Sequence, residues 1–236
     1  MRRETGRFLA EGAQAVREAL AAGAVDEVFA TAPALRRHPE LTGDAAEISD
    51  KDAAALSETV TPQGLVAVCR RIDVRISDAL DDARLVAVLV EPNDPGNAGT
   101  ILRTADAAGA DAVVVVGGVD VYNGKAVRAS AGSLFHLRVC VDAALDDVLG
   151  SDLVKLASTG AGGTELDELI DDGSLAQPTM WLFGSEAHGL PERALTAADH
   201  TVRVPVYGRA ESLNLAAAAA VCLYASARAQ VSRDDC

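Results

Sequence analysis

Hydrophobic and polar positions follow two different rhythms along this chain, and the change falls near residue 84. In the first part, short amphipathic stretches alternate with strand-like runs. Glu11 to Ala22 has helical spacing and is ended by Gly23, and Val25 to Ala30 (VDEVFA) is strand-like. Asp50 caps a short predicted helix through Glu58, and Gly64 to Cys69 (GLVAVC) is a second strand. Together they predict a small α/β unit. Arg70 to Ala83 (RRIDVRISDALDDA) is charge-dense and has no strong period, which makes it the best linker candidate. Beyond it the apolar runs become continuous. Leu85–Val90, Val113–Val116, Leu137–Val141, Leu153–Ala157, Met180–Phe183 and Thr201–Val206 read as strands. Helices are predicted over Ala98–Ala108, Lys125–Ser133 and the Ala-rich stretch Leu213–Gln230. Apolar strands alternating with helices predict an α/β fold with a mostly parallel sheet covered on both faces.

Composition narrows this picture. A length of 236 residues suits one large domain or two small ones. Hydrophobic residues at 49% and charged residues at 24% exclude wholesale disorder, and aromatics at 3% leave the core to Ala, Val and Leu. The longest uncharged late stretch, Leu213 to Ala227, contains Asn214, Tyr224 and Ser226 and is too short and polar to span a bilayer. No apolar signal core follows the Arg-rich N-terminus, so a soluble, cytoplasmic protein without a membrane partner is expected. Cys69, Cys140, Cys222 and Cys236 lack C-x-x-C spacing and read as buried, reduced thiols. His38, His136, His188 and His200 lack metal-ligand spacing, so no metal is expected.

A net charge of −14 taken alone argues against a nucleic-acid partner, because phosphate binding is driven by Lys and Arg. Its distribution softens the point. Residues 1–80 carry 10 basic and 13 acidic side chains, whereas residues 81–236 carry 11 and 22. The basic residues also cluster, as Arg2-Arg3-Arg7, Arg36-Arg37-His38, Arg70-Arg71-Arg75 and Lys125 with Arg128. A solvated face produces such clusters too.

Loops at the carboxyl ends of parallel strands are where a ligand is expected. The common nucleotide fingerprints fail there. Gly118 to Gly124 has five intervening residues where a phosphate loop needs four, and Glu165 takes the third glycine position in GAGGTE. Three other segments carry more. In E91-P-N-D-P-G-N-A-G-T-I-L-R, Asp94 or Asn97 is available as a helix cap. Leu102, Ala105 and Ala108 form the inward stripe of that helix, while Gly99 clears a surface along which Arg103 points. In L182-F-G-S-E-A-H-G-L-P-E, Gly184 and Gly189 suit a loop whose backbone N–H groups face a ligand. In V204-P-V-Y-G-R-A-E-S-L-N-L, Pro205 ends a strand and Ser212 is placed to cap the last helix. Each segment alone is equally met by an ordinary turn with surface side chains.

In this order and at these distances, the three segments resemble the motifs of the SpoU (TrmH-like) RNA ribose methyltransferases of the SPOUT superfamily. The resemblance covers Val86 to about Ala229 and rests on Asn97, Gly99 and Arg103, on Gly184 to Leu190, and on Ser212, Leu213 and Asn214. Lys125–Val139 is similar to the segment that joins the first two motifs in that family. The opening RRETGRFLAEGAQAVREAL resembles the family's L30e-like RNA-binding extension, which divides the chain into residues 1–72, a linker at 73–84 and a methyltransferase domain at 85–236. The helical leader common in relatives is not expected here.

The resemblance implies a SPOUT domain with a C-terminal trefoil knot, which generic topology rules would not propose. It implies S-adenosyl-L-methionine held near Gly184, Glu186, Gly189, Val204, Pro205, Leu213 and Asn214. It further implies a homodimer with sites at the subunit interface, methylating a ribose 2′-hydroxyl of RNA. Arg103 then carries catalysis, with Asn97, Ser212 and Asn214 positioning the ribose or Arg103. Arg7, Lys125, Arg128 and Arg209 are the candidate RNA-binding residues. The L30e-like unit leans towards 23S rRNA; a tRNA acceptor and a non-catalytic RNA-binding or ribosome-assembly role remain as alternatives.

Overall fold

The computed structural model describes residues 2–234 apart from 58, 60 and 161, so Cys236 and the predicted helix end at Glu58 lie outside the described residues. Its strands build two sheets. The smaller contains β1 (Arg7–Glu11), β2 (Val25–Ala30), β3 (Ala46–Glu47) and β4 (Leu65–Arg70) in the order β1-β4-β2-β3. Strands β1 and β2 flank β4 antiparallel, and β3 joins β2 in parallel. Around this sheet lie α1 (Arg2–Thr5), α2 (Ala13–Ala21), α3 (Ala32–Arg37) and α4 (Asp50–Leu56). Strand β1 has no strong sequence signal, yet it alternates: Phe8 and Ala10 are buried while Arg7 is exposed and Leu9 and Glu11 are partly covered. Helix α4 is capped by Ser49, whose side chain accepts the Asp52 amide at 3.1 Å, and not by Asp50 as expected.

The charge-dense stretch after β4 is an ordered connection. The Ile72 amide donates to the Tyr122 hydroxyl (3.2 Å), the Val74 amide donates to the Val139 carbonyl (2.9 Å), and α5 (Ile76–Leu80) follows with Ala79 buried. The larger sheet then forms from β5 (Leu85–Val90), β6 (Ala112–Val116), β7 (Arg138–Cys140), β8 (Val154–Thr159), β9 (Thr164–Glu165), β10 (Thr179–Phe183) and β11 (His200–Arg203). Their order is β7-β6-β5-β10-β8-β11-β9, with every neighbouring pair parallel. Helices α6 (Pro95–Ala107), α7 (Gly124–Ser130), α8 (Leu145–Leu149), α9 (Leu166–Asp171), α10 (Glu192–Ala197) and α11 (Leu215–Asp234) complete the chain.

Every residue of β5 is buried, and its alternation explains the two-sided cover. Leu85, Ala87 and Leu89 join the apolar cluster that includes α6 and α11, and Val86, Val88 and Val90 join the one that includes α5, α8 and α10. Fully burying such a side chain contributes about 1.5–3 kcal/mol, so a strand that is apolar on both faces is stable only in the middle of a covered sheet. The inner face of α11 is Ala216, Ala219, Leu223 and Ser226, and the Ser226 hydroxyl accepts the buried Trp181 indole N–H at 2.9 Å. Small side chains at this spacing let α11 lie close to β10. Strand β10 follows β8 in the chain but inserts between β5 and β8, so strand order reverses there and a crevice opens at the carboxyl ends.

Among the described residues, Cys69, Cys140 and Cys222 are buried free thiols, and burial pushes Cys69 and Cys222 up to about 12, which keeps them protonated. No described helix is long and apolar enough to cross a membrane.

Candidate functional site

A cavity of about 330 Å³ lies where β8, β10 and β11 end and α11 begins. Gly184, Glu186, Gly189, Val204, Leu213 and Asn214 line it, as the resemblance implied, and so does Ser212. Pro205 is not among the lining residues; its neighbours Val204 and Val206 are. Ser158, Thr159 and Gly160 at the end of β8 also line it and were not anticipated. Their signal was the glycine run after an apolar strand, set aside above only because it fails the dinucleotide spacing.

The loop after β10 is shaped by a close self-crossing. A Cβ on Gly184 would lie 2.1 Å from the carbonyl carbon of Gly189 and 2.3 Å from the amide of Leu190, so only glycine lets the chain return over itself. Ser185 and Gly189 exchange backbone hydrogen bonds (3.1 and 2.9 Å), and the His188 amide donates to the Ser185 hydroxyl at 3.1 Å. These three N–H groups are therefore spent inside the loop. Gly189 has φ +69°, a second position where glycine is favoured.

Glu186 ties this loop to the start of α6. Its carboxylate accepts the Asn93 amide (2.9 Å), the Asp94 amide (3.3 Å) and the Asn97 side-chain amide (2.8 Å). Burial would push the Glu186 carboxyl up, but the hydrogen bonds from Asn97 and from backbone amides outweigh it and hold the group below the usual carboxylate range. Asn97 in turn accepts the Asn214 side-chain amide at 3.2 Å. Asn214 also caps α11, accepting the Ala216 amide at 2.9 Å, so it takes the role expected of Ser212. Three segments more than a hundred residues apart at their extremes are thus joined through one chain of side chains, Glu186–Asn97–Asn214. The cap of α6 is Asp94, which accepts the Gly96 amide at 2.9 Å and leaves Asn97 for this network.

Gly99 allows a close approach to the α6 backbone, and the group that approaches is α7: a Cβ there would meet the Ala126 carbonyl oxygen at 2.3 Å. Arg103 is exposed on α6 and is not among the residues lining the cavity. Of the four anticipated RNA contacts, Arg7 and Arg128 line one hollow at the junction of the two sheets, and Lys125 and Arg209 do not. Lys125 reaches Asp94 at 2.6 Å, Arg7 pairs with Asp26 at 2.8 Å, Arg128 lies 3.4 Å from Glu11, and Arg209 is exposed on the loop between β11 and α11.

The chemistry of the cavity suits an adenosine bearing a charged tail. Val204, Leu213, Leu215 and Ala218 offer apolar wall, and Ser158, Thr159 and Ser212 offer hydroxyls. Comparison with known proteins agrees. Residues 84–224 match the SpoU rRNA Methylase family, and residues 1–67 match an MRM3-like substrate binding domain. The 23S rRNA (guanosine(2553)-2′-O)-methyltransferase RlmP of Bacillus subtilis is 35% identical over 229 residues, covering 94% of this chain and 89% of its own. A 23S rRNA (uridine(2479)-2′-O)-methyltransferase of Streptomyces viridochromogenes is 37% identical over 60% of this chain and 51% of its own. Among solved structures, the SpoU methyltransferase AviRb of Streptomyces viridochromogenes in complex with AdoMet superposes with a TM-score of 0.81 at 30% identity, covering 98% of this chain and 93% of its own. An AdoMet-bound rRNA methyltransferase from Sinorhizobium meliloti gives 0.83 at 30% identity over 96% and 89%.

Proposed function

From the premise that this chain belongs to the SpoU rRNA Methylase family, we propose that it methylates a ribose 2′-hydroxyl of 23S rRNA. The chain is an RNA ribose methyltransferase, and S-adenosyl-L-methionine is its methyl donor. The Glu186–Asn97–Asn214 network carries the reading for the site, because it ties the first motif segment, through Asn97, to the two segments that line the cavity.

When bound, the donor supplies a methyl carbon on a sulfonium, a leaving group that needs no protonation. The chain must therefore align the attacking hydroxyl and manage its proton. Gly184, Glu186, Gly189, Val204, Leu213 and Asn214 hold the donor, with Pro205 fixing the chain between Val204 and Val206. Asn97, Ser212 and Asn214 position the ribose or Arg103. The Arg103 guanidinium grips the neighbouring phosphodiester and stabilises the negative charge that develops on the attacking oxygen as its proton passes to solvent water.

A homodimer completes the site. This is supported by Arg103 standing outside the cavity wall and by Val221, Tyr224 and Val231 exposed on α11. The trefoil knot belongs to the same reading, since the loops after β8, β10 and β11 all border the start of α11. We take residues 1–72 as the RNA-choosing unit, 73–84 as the connection and 85–236 as the methyltransferase domain, working in the cytoplasm.

The test is transfer of labelled methyl from S-adenosyl-L-methionine to unmodified 23S rRNA, 16S rRNA and a tRNA pool, with Arg103→Ala alongside. Label should enter one region of 23S rRNA and be lost in the variant while donor affinity stays nearly intact. Label in the tRNA pool alone would move the acceptor, and near-wild-type turnover by Arg103→Ala would overturn its role.

A further inference from the structure

A second cavity, of about 430 Å³, lies at the junction of the two sheets. Its apolar lining comes from Phe8 and Leu9 on β1, Leu56 at the end of α4, Val68 on β4 and Tyr122. Arg2, Arg7 and Arg128 stand around that lining. An adjoining hollow shares Thr5 and Arg7 and adds Arg70 and Arg71. Five guanidinium groups therefore gather around two adjoining hollows in a chain whose net charge is −14.

Arg71 is the more buried partner of its pair with Asp73 (17% against 30% exposed), but for Arg7, Arg70 and Arg128 the partner carboxylates lie deeper than the guanidinium groups they hold. Arg7 and Arg70 both pair with Asp26, and their side chains are 59% and 56% exposed against 16% for Asp26. Arg128 is 27% exposed against 9% for Glu11. The carboxylates fix the arginines from below, and the positive charge faces solvent. An apolar lining alone would suit many partners, but a guanidinium rim selects a polyanion. Glu11 also accepts hydroxyl hydrogen bonds from Ser57 and Thr59, which places a fixed carboxylate acceptor in the groove.

The groove is also next to the methyl-transfer site. Gly124 and Arg128 of α7 line it, and Lys125 between them reaches Asp94, the cap of the helix that carries Asn97 and Arg103. Tyr122, Gly124 and Arg128 lie outside residues 1–67, so the groove exists only where the two parts of the chain meet.

We propose that this groove is a nucleotide subsite. It takes one unpaired nucleotide of the RNA substrate, distinct from the one methylated, with its base on the apolar lining and its phosphodiester on Arg7 and Arg128. The inference rests on the RNA-methyltransferase reading above. Unpaired bases are what proteins read in RNA, and phosphate contacts carry the salt dependence.

The experiment uses the full chain and a 23S rRNA transcript, with Leu56→Asp and Arg7→Ala. Leu56 is 37% exposed, so a carboxylate there repels phosphate without burying a charge. Leu56→Asp should raise the KM for RNA about tenfold, with donor affinity and kcat at saturating RNA unchanged. Arg7→Ala should lower the slope of log affinity against log salt by about one. Unchanged KM and unchanged slope would overturn the subsite even if methyl transfer is confirmed. If the wild type transfers no methyl, filter binding of the same transcript still decides: weaker binding by Leu56→Asp supports the groove, and equal binding removes it.

Discussion

The cavity at the strand ends and the junction between the two sheets are each fastened by one titratable side chain, a carboxylate at the first and an imidazole at the second. At the cavity the Glu186 carboxylate is held by donors from the start of α6. At the junction the His136 ring lies between Asp106 of α6 (2.8 Å) and Glu18 of α2 (3.1 Å). Hydrogen bonds donated by the ring to Asp106 and Glu18 raise the His136 pKa above its usual value. What backs each clasp also differs. The junction clasp sits beside an aromatic cluster, with Phe8 4.7 Å from Tyr122 and 6.0 Å from Phe135, and Arg71 over the Tyr122 ring at 4.9 Å. The cavity clasp holds exposed loops with little apolar support. The junction should therefore fail as a fold, and the cavity as a binding site.

Substitution of Gly184 should have the largest effect on the cavity. Gly184→Ala drives a Cβ into the Gly189–Leu190 backbone, so donor affinity should fall about a hundredfold or more while the parallel sheet still folds. Calorimetric titration against thermal melting separates the two. At the junction the largest effect is on stability. Tyr122→Ala should cost about 3–5 kcal/mol in denaturant unfolding, whereas Tyr122→Phe, which keeps the ring and loses the hydroxyl's bonds with the Ile72 amide and Asp73, should cost about 1–2 kcal/mol. Equal losses from both variants would show that the hydroxyl, not the ring, holds the junction.

Smaller effects sharpen the contrast. Glu186→Gln should weaken donor binding about tenfold with little change in melting, because an amide replaces a carboxylate that accepts three donors. The pH responses should run in opposite directions. The Glu186 carboxyl is lowered on folding, so its contribution is present above the ordinary value near 4.3 and is lost as pH falls through the folded value. Donor affinity should thus drop in acid, and the drop should be missing in Glu186→Gln. His136 is raised on folding, so its contribution is full below about 6.5 and is lost as pH rises through the folded value. Stability should decline slightly over that window, and His136→Gln should flatten the decline.

The same comparison explains what could be read in advance. Val25–Ala30 and Leu85–Val90 are the observed β2 and β5 to the residue, because bounded apolar runs report burial within one element. The strand expected to reach Val206 ends at Arg203, and the last helix begins at Leu215, after the Asn214 cap. Motif residues were legible only through the resemblance carried by the three segments together, since each alone reads as an ordinary turn. Their division of labour was not: Asn214 against Ser212 as cap, and α7 as the element that meets Gly99, depend on which side chain the fold brings opposite. Strand β1, the ordered connection at Ile72–Leu80 and the Phe8–Tyr122–Phe135 cluster were invisible for the same reason. Their burial comes from residues fifty or more positions away, which no local period records.

The central claim is that three separated segments make one donor site while Arg103 acts only on the acceptor. The direct measurement is titration of S-adenosyl-L-methionine into the wild type, Arg103→Ala and Asn214→Ala. The account predicts near-wild-type affinity for Arg103→Ala and a marked loss for Asn214→Ala, which breaks the link to Asn97 and uncaps α11. Equal affinity for all three, or a loss confined to Arg103→Ala, would contradict it.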